Sequence, residues 1–199
     1  MKKVFQILLA IVVVALGYLL IESIMEPIRF DKEKDKRFKA TIERLQNVRT
    51  AELAYKSQYG KFTGNFDTLI SFLKNGKIKV VKQVGSEDDS VAVAKGLVFR
   101  DTISIFVRDT ILKNYAVDSL RFVPFTHGDK FEMAAGELVT ESKIKVKVFE
   151  CKAPYEVILK DMDKQEIINM KDLAKKLNKY PGLKVGSLTE ATNNAGNWE

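Results

Sequence analysis

The chain has 199 residues, with 33 Lys and Arg residues against 26 Asp and Glu residues and a formal net charge of +7. Basic and acidic residues alternate along the chain and no nucleic-acid-binding motif accompanies them, so the charge does not predict nucleic acid as a partner. The single cysteine, Cys151, excludes an internal disulfide and therefore identifies no redox compartment.

An uncharged apolar run stands near the start of the chain. After Lys2 and Lys3, residues 4–21 carry no charge. At about 1.5 Å per residue this run forms a helix of roughly 27 Å, enough to cross the hydrocarbon core of a bilayer. The sequence therefore predicts a basic tail at residues 1–3 and a single transmembrane helix at residues 4–25, with the lipid bilayer as its partner.

A cleaved secretory signal is the alternative interpretation of this run. The run is longer than the usual apolar core of a signal, and residues 19–27 contain no small-x-small cleavage site. Both observations favour a retained anchor.

The basic residues on the two sides of the span give opposing signals for its orientation. Lys2 and Lys3 favour a cytoplasmic N-terminus. Six basic residues close behind the span favour the reverse, namely Arg29, Lys32, Lys34, Lys36, Arg37 and Lys39. Because large domains translocate largely regardless of charge, we expect an inner-membrane protein with a cytoplasmic N-terminus and a periplasmic C-terminal domain.

Residues 26–76 are predicted to form a membrane-proximal helical region. Pro27 predicts a kink or short break after the anchor, and a second helix is expected to open near Asp31 and to end at Gly60. Its apolar face repeats at helical spacing and comprises Phe38, Ile42, Leu45, Val48, Ala51, Tyr55 and Tyr59. Its polar face comprises Glu43, Arg44, Gln46, Asn47, Arg49, Glu52 and Lys56.

A second, shorter helix is predicted by apolar residues at positions i, i+3, i+4 and i+7, which are Phe66, Leu69, Ile70 and Leu73. Asn65 or Asp67 is expected to cap it and Gly76 to stop it. We expect this helix to fold back onto Tyr55 and Tyr59.

Residues 77–199 are predicted to be β-rich, mainly antiparallel, and to form one domain with residues 26–76, which gives an α+β fold. Short strands are expected at residues 78–80, 91–98, 103–107, 120–123, 131–134, 143–149 and 183–188. Strand 143–149 alternates lysines with apolar residues, so we expect it to be half exposed, with lysines that discourage edge pairing. A late helix is expected over residues 164–179, and Trp198 is expected to dock on the body or on a partner.

The first 75 residues resemble the N-terminal region of type IV pilins and type II secretion pseudopilins. The resemblance lies in the basic start, the apolar helix, its amphipathic continuation, and the stretch Arg49-Thr50-Ala51-Glu52-Leu53-Ala54-Tyr55 running into Tyr59-Gly60-Lys61-Phe62. It implies a long helix seated on a β-rich head. The chain departs from the family in having no glycine before Gly17 to end a leader, and in placing Glu22 at the far end of the apolar run, so the prepilin cleavage motif is missing. The remainder resembles membrane-anchored envelope proteins of Bacteroidota.

No catalytic, cofactor-binding or metal-binding residues are predicted. An enzyme would have to use Cys151, His127 or acid pairs such as Asp161 and Asp163, and spacing in the sequence alone does not place an acid opposite a base. The acidic loop around residues 85–90 lacks the ligand spacing of an EF-hand.

These observations predict a non-enzymatic, single-pass membrane protein that is a structural or assembly component of a bacterial envelope complex, pilin-like in its N-terminal part. Other envelope proteins are the expected partners, and an oligomer is compatible with the sequence. The alternative is a membrane-tethered periplasmic binding or sensing module whose ligand is held between residues 77 and 199.

Overall fold

The fold is given by a computed structural model, which describes residues 2–84, 99–113, 115–140 and 143–199. It is an α+β structure in which one long N-terminal helix carries two antiparallel sheets and a late helix. The acidic loop at residues 85–90 and the strand predicted at residues 91–98 lie outside the described residues.

Helix α1 runs without interruption over Lys2–Tyr59, a length of 58 residues, or about 87 Å. The predicted break at Pro27 is wrong, because the proline lies inside the helix. Proline removes one backbone donor, at a cost of about 3 kcal/mol in a helix interior, but the helix continues on both sides. Arg29 also donates a 3.0 Å hydrogen bond to Glu22, which links the two sides of the proline on the helix surface. Asp31 consequently lies within α1 and does not begin a second helix.

The end of α1 agrees with the sequence. Gly60 takes a positive φ of 68°, and its amide donates to the Lys56 carbonyl oxygen. Such a left-handed residue is the ordinary way to close a helix.

Helix α2, Phe66–Asn75, has the predicted bounds and the predicted cap. The Asn65 side chain accepts a 2.7 Å hydrogen bond from the Asp67 amide. The helix also folds back as expected, because the Phe72 ring makes edge contacts with Tyr55 and Tyr59 at centroid distances of 5.3 and 5.7 Å.

The two sheets are antiparallel. Strands β1, Lys77–Val84, and β2, Phe99–Phe106, form a two-stranded ribbon that leads into the short helix α3, Val107–Thr110. Strands β3, Glu132–Val139, β4, Lys145–Pro154, and β5, Gly182–Gly186, form a three-stranded sheet in the order β3-β4-β5. Between β4 and β5 lie the short helix α4, Tyr155–Ile158, and the late helix α5, Lys164–Lys176.

One strand prediction is wrong. Residues 117–121 form a 3-10 helix rather than a strand, because Ser119 bonds back to the Ala116 carbonyl oxygen through both its amide and its hydroxyl. Strand β4 is the middle strand of its sheet, but the part that carries Lys145 and Lys147 has a strand partner on one side only. Its second half pairs with β5, whereas residues 145–149 pair on one side only, with β3.

Helix α5 ends earlier than predicted. Asn178 takes a positive φ of 52°, its amide donates to Lys175, and the Lys179 amide donates to Ala174. This pair of bonds is a Schellman motif. It closes the helix before Pro181 is reached.

One hydrophobic core joins α1, α2 and the three-stranded sheet. Its fully buried side chains include Leu45, Val48, Leu69, Leu73, Phe149 and Val185. Trp198 is half-buried and packs against this core. Of the two predicted positions, on the body of the protein or on a partner, the structure shows the first. Phe30 is the first α1 side chain that packs on the core. We call residues 30–199 the head and residues 4–28 the anchor segment.

Candidate functional site

The anchor segment is the most distinctive surface of the molecule. Every large apolar side chain from Val4 to Ile28 is exposed. Soluble monomers rarely expose a contiguous apolar surface of this size. Among the described residues, α1 is the one helix that is long and apolar enough to span a membrane.

The junction between the anchor segment and the head is short and helical. The last exposed apolar residue of the anchor segment, Ile28, precedes Phe30 by two positions on the same helix. The head is therefore connected to the anchor segment by continuous helix, with no linker between them.

Glu52 is the main site that the sequence interpretation missed. The sequence predicts Glu52 on the polar face of the helix, but the structure buries it completely. Its Oε2 atom accepts a 2.9 Å hydrogen bond from the Thr63 amide, whereas its Oε1 atom has no hydrogen-bond partner among the described residues. Burial raises the pKa of Glu52 to about 8, and the Thr63 hydrogen bond offsets only part of that rise. The carboxyl group is therefore mainly neutral at pH 7.

The signal for Glu52 was present in the sequence. Leu45, Val48, Glu52 and Tyr55 are separated by three, four and three positions, which places all four on one face of a helix. Ala51 is buried as well, because the head covers α1 on more than one side.

The structure does not bring the candidate catalytic residues together. Cys151 is fully buried in β4, and burial raises the pKa of its thiol. His127 is exposed in the loop before β3. Asp163 caps α5 by accepting a 2.9 Å hydrogen bond from the Glu166 amide, and Asp161 is exposed. Within the part of the chain that the structure describes, no hydrogen bond links Cys151, His127 and the two aspartates.

Metal ligands do not cluster among the described residues. No group of three or more His, Cys, Asp and Glu side chains lies close enough to hold an ion there. Asp88 and Asp89 lie outside the described residues.

A cleft of about 620 Å³ lies between α1 and α2, and its one charged lining side chain, Asp67, already accepts a 2.6 Å hydrogen bond from Arg121. A cleft of about 460 Å³ is lined by α1 alone.

Two further clefts bring α1 or β4 against loops of the head. One, of about 500 Å³, lies between α1 and residues 122–128. Its one charged lining side chain, Arg44, already donates to the Phe122 carbonyl oxygen at 2.7 Å and to the Tyr115 hydroxyl at 3.1 Å. The other, of about 200 Å³, lies between residues 146–148 and 191–194, and is smaller than the roughly 300 Å³ at which ligand pockets begin.

Comparison with protein-family models, curated protein sequences and solved structures gave no match to this chain.

Proposed function

We propose that this protein is a non-enzymatic, single-pass membrane protein whose anchor segment crosses a bacterial inner membrane and whose head is a structural or assembly component of an envelope complex. One observation carries the proposal. A single helix passes without a break from a fully exposed apolar surface into the core of an α+β head.

The continuity of α1 suits a structural role. A flexible linker would let the head sample many positions, whereas a continuous helix fixes its distance from the bilayer. This arrangement agrees with the resemblance of residues 1–75 to pilins and pseudopilins, in which a long helix is seated on a β-rich head.

The tethered binding module is less favoured. Arg44 in the cleft of about 500 Å³ and Asp67 in the cleft of about 620 Å³ are already hydrogen-bonded within the head, and the cleft beside β4 is small. Assembly through surfaces does not require a concave pocket.

Membrane insertion is tested by alkaline extraction of membranes from cells that express the full chain. We expect the protein to stay in the membrane pellet. Its release into the supernatant would contradict the anchor.

Topology is tested with a membrane-impermeant maleimide applied to intact cells. The native Cys151 is fully buried and gives little labelling in the folded head, so a reporter cysteine is introduced at the exposed Ile144. We expect Ile144→Cys to be labelled while the inner membrane is intact, and the unsubstituted chain to serve as the control. Labelling that needs the inner membrane to be opened would place the head in the cytoplasm.

Assembly is tested by cross-linking in intact membranes followed by purification. We expect defined adducts with other envelope proteins or with further copies of the chain. A solitary, monodisperse protein in native membrane extracts would contradict the assembly role.

A further inference from the structure

One end of the head faces the anchor segment, and the contacts along α1 identify it. The Tyr155 ring stacks on Phe38 at 5.5 Å, and Arg37 donates to the Ile158 carbonyl oxygen at 3.3 Å. Phe149, six residues earlier in the chain, instead contacts Phe62, beyond the far end of α1. Strand β4 therefore runs toward the anchor segment, and α4 lies at the near end of the head.

Helix α5 belongs to the same end. The segment that contains it leaves the sheet at Pro154 and returns at Gly182, and these two residues are register partners. Lys171 of α5 also pairs with Glu156 of α4. The loop before β3 joins this end through an ion pair of 3.2 Å between Lys160 and Asp129.

This near end is held close to the bilayer surface. Eight helical positions separate Glu22, the first charge after the apolar run, from Phe30, the first head contact. They span about 12 Å, compared with roughly 5–8 Å for the headgroup layer on each side of a membrane. The head thus begins just outside the headgroups.

The surface of α5 is unusual for a core helix. Only Ile167 and Ala174 of its thirteen residues are buried. Two large apolar side chains of the helix, Ile168 and Leu173, are exposed instead, together with Leu177 at its C-cap. Residues 164–179 carry five lysines against Glu166 and Asp172, a net of +3. Four of these lysines are exposed, at positions 164, 175, 176 and 179.

An exposed aromatic ring lies at the same end. Phe125 has a positive φ of 60°, which is costly for a bulky residue. Its ring remains 47% exposed, with the Lys36 ammonium 5.0 Å from the ring centroid. Exposed apolar side chains among lysines are the composition of helices and loops that lie in the interface of an anionic membrane.

We propose that α5, assisted by Phe125, is a second membrane contact, which docks the near end of the head on anionic lipid headgroups. The lysines bind the headgroup charge, while the exposed leucines enter the acyl boundary. This inference rests on the proposed membrane anchor, which brings α5 to the bilayer surface.

The test uses the full chain reconstituted in two kinds of vesicle, phosphatidylcholine alone and phosphatidylcholine mixed with phosphatidylglycerol. An environment-sensitive fluorophore is attached to Leu177→Cys, and its quenching by lipids that carry a shallow spin label is measured. Ile144→Cys is the matched control. The two side chains are 58% and 61% exposed, but Ile144 lies just before the start of β4, at the end of the head far from the anchor segment.

We expect the Leu177 fluorophore to be quenched in the anionic vesicles. Quenching should be much weaker in phosphatidylcholine alone, which offers the lysines no anionic headgroups. It should also be much weaker at high salt, which screens the attraction between lysines and headgroups. The Ile144 fluorophore should stay in water in both. Replacing Lys175 and Lys176 with Gln should lower the ratio of docked to free heads about fivefold for each lysine. The same change at Lys145 and Lys147, which are also exposed, should leave the ratio unchanged.

A Leu177 fluorophore that stays in water in both vesicle types, while the protein floats with the vesicles, overturns the docking contact and leaves the anchor intact. That result would also be expected if α5 binds an acidic protein. Equal quenching in both vesicle types overturns the anionic specificity. Failure of the protein to float with either vesicle type contradicts the anchor itself. Trp198 fluorescence confirms that each variant is folded.

Discussion

The Thr63 amide donates a 2.9 Å hydrogen bond to Glu52 Oε2, at the place where the chain turns back after α1. This bond ties the turn before α2 to the C-terminal part of α1 through a fully buried carboxyl group. A buried, mainly neutral acid stabilises the fold only while it stays protonated.

The stability of the head is therefore expected to fall as pH rises. The pKa of Glu52 is about 8 in the folded protein against an ordinary value of 4.5, so the native state binds more protons between these values. The contribution of the neutral carboxyl is fully present below pH 4.5, declines as pH rises and is lost by about pH 8. The full effect is about 5 kcal/mol at 1.36 kcal/mol per pKa unit.

The measurement is urea unfolding of the full chain in detergent, followed by Trp198 fluorescence, at pH values below, between and above those two pKa values. Glu52→Gln is the control, because its amide oxygen can still accept from Thr63 but does not titrate. We expect the wild type to lose stability relative to this variant as pH rises. Parallel pH profiles for the two proteins would refute the prediction.

The sequence predicted α2 correctly because all of its determinants are local. The apolar spacing and the Asn65 cap lie within one stretch of the chain. The same rules failed at Pro27, where the rest of a long helix outweighs one missing hydrogen bond. They also failed at residues 120–123. A strand was predicted there, but hydrogen bonds from Ser119 to the Ala116 carbonyl oxygen stabilise a 3-10 helix over Val117–Arg121.

The candidate sites depend on contacts that sequence reasoning did not provide. The charge of Glu52 predicts a polar, exposed position, whereas its spacing from Leu45, Val48 and Tyr55 predicts a position in the core. The structure shows that the spacing is the better guide. The near end of the head brings Lys36 to Phe125 and Asp129 to Lys160. These pairs are distant in the sequence, so no periodic pattern links them.

Two leucines of α1 allow a matched test of which helix face is packed. Leu45 is fully buried, whereas Leu53 is 44% exposed. Leu45→Ala should lower the free energy of unfolding by about 2–5 kcal/mol, because it leaves a cavity between α1 and the rest of the core. Leu53→Ala, with the same change in helix propensity, should cost less than about 1 kcal/mol. Equal losses in urea unfolding would mean that the head packs on a different face.

Arg44 is expected to stabilise the head through its two hydrogen bonds rather than through its charge. Arg44→Met leaves the Phe122 carbonyl oxygen without this donor. The free energy of unfolding should fall by about 1–3 kcal/mol. In a double-mutant cycle with Tyr115→Phe, the coupling energy should exceed about 0.5 kcal/mol. Arg108→Met is the control, because that exposed arginine forms an ion pair with its neighbour Asp109, and such pairs contribute little. Additive effects of the Arg44 and Tyr115 changes would argue against the hydrogen bond between them.

Gly186 is where β5 approaches β4 too closely for a side chain. A Cβ atom there would lie 2.1 Å from the Phe149 carbonyl oxygen, and the residue takes a φ of +71°. Gly186→Ala should therefore destabilise the head in two ways, because it strains the backbone and displaces β4. Gly128 also has a positive φ, of +103°, but a Cβ atom there meets nothing within 4 Å. Gly128→Ala consequently measures strain alone.

We expect Gly186→Ala to lower the free energy of unfolding by about 1–3 kcal/mol more than Gly128→Ala, the usual cost of forcing extra atoms into a packed site. The Gly186 amide also donates to the Ala195 carbonyl oxygen at 2.9 Å, so the displacement should loosen the C-terminal tail and change Trp198 fluorescence in the native state. Urea unfolding and native-state emission spectra of the two variants provide the comparison. If both substitutions cost the same and leave the emission unchanged, the close approach of β5 to β4 at Gly186 is incorrect.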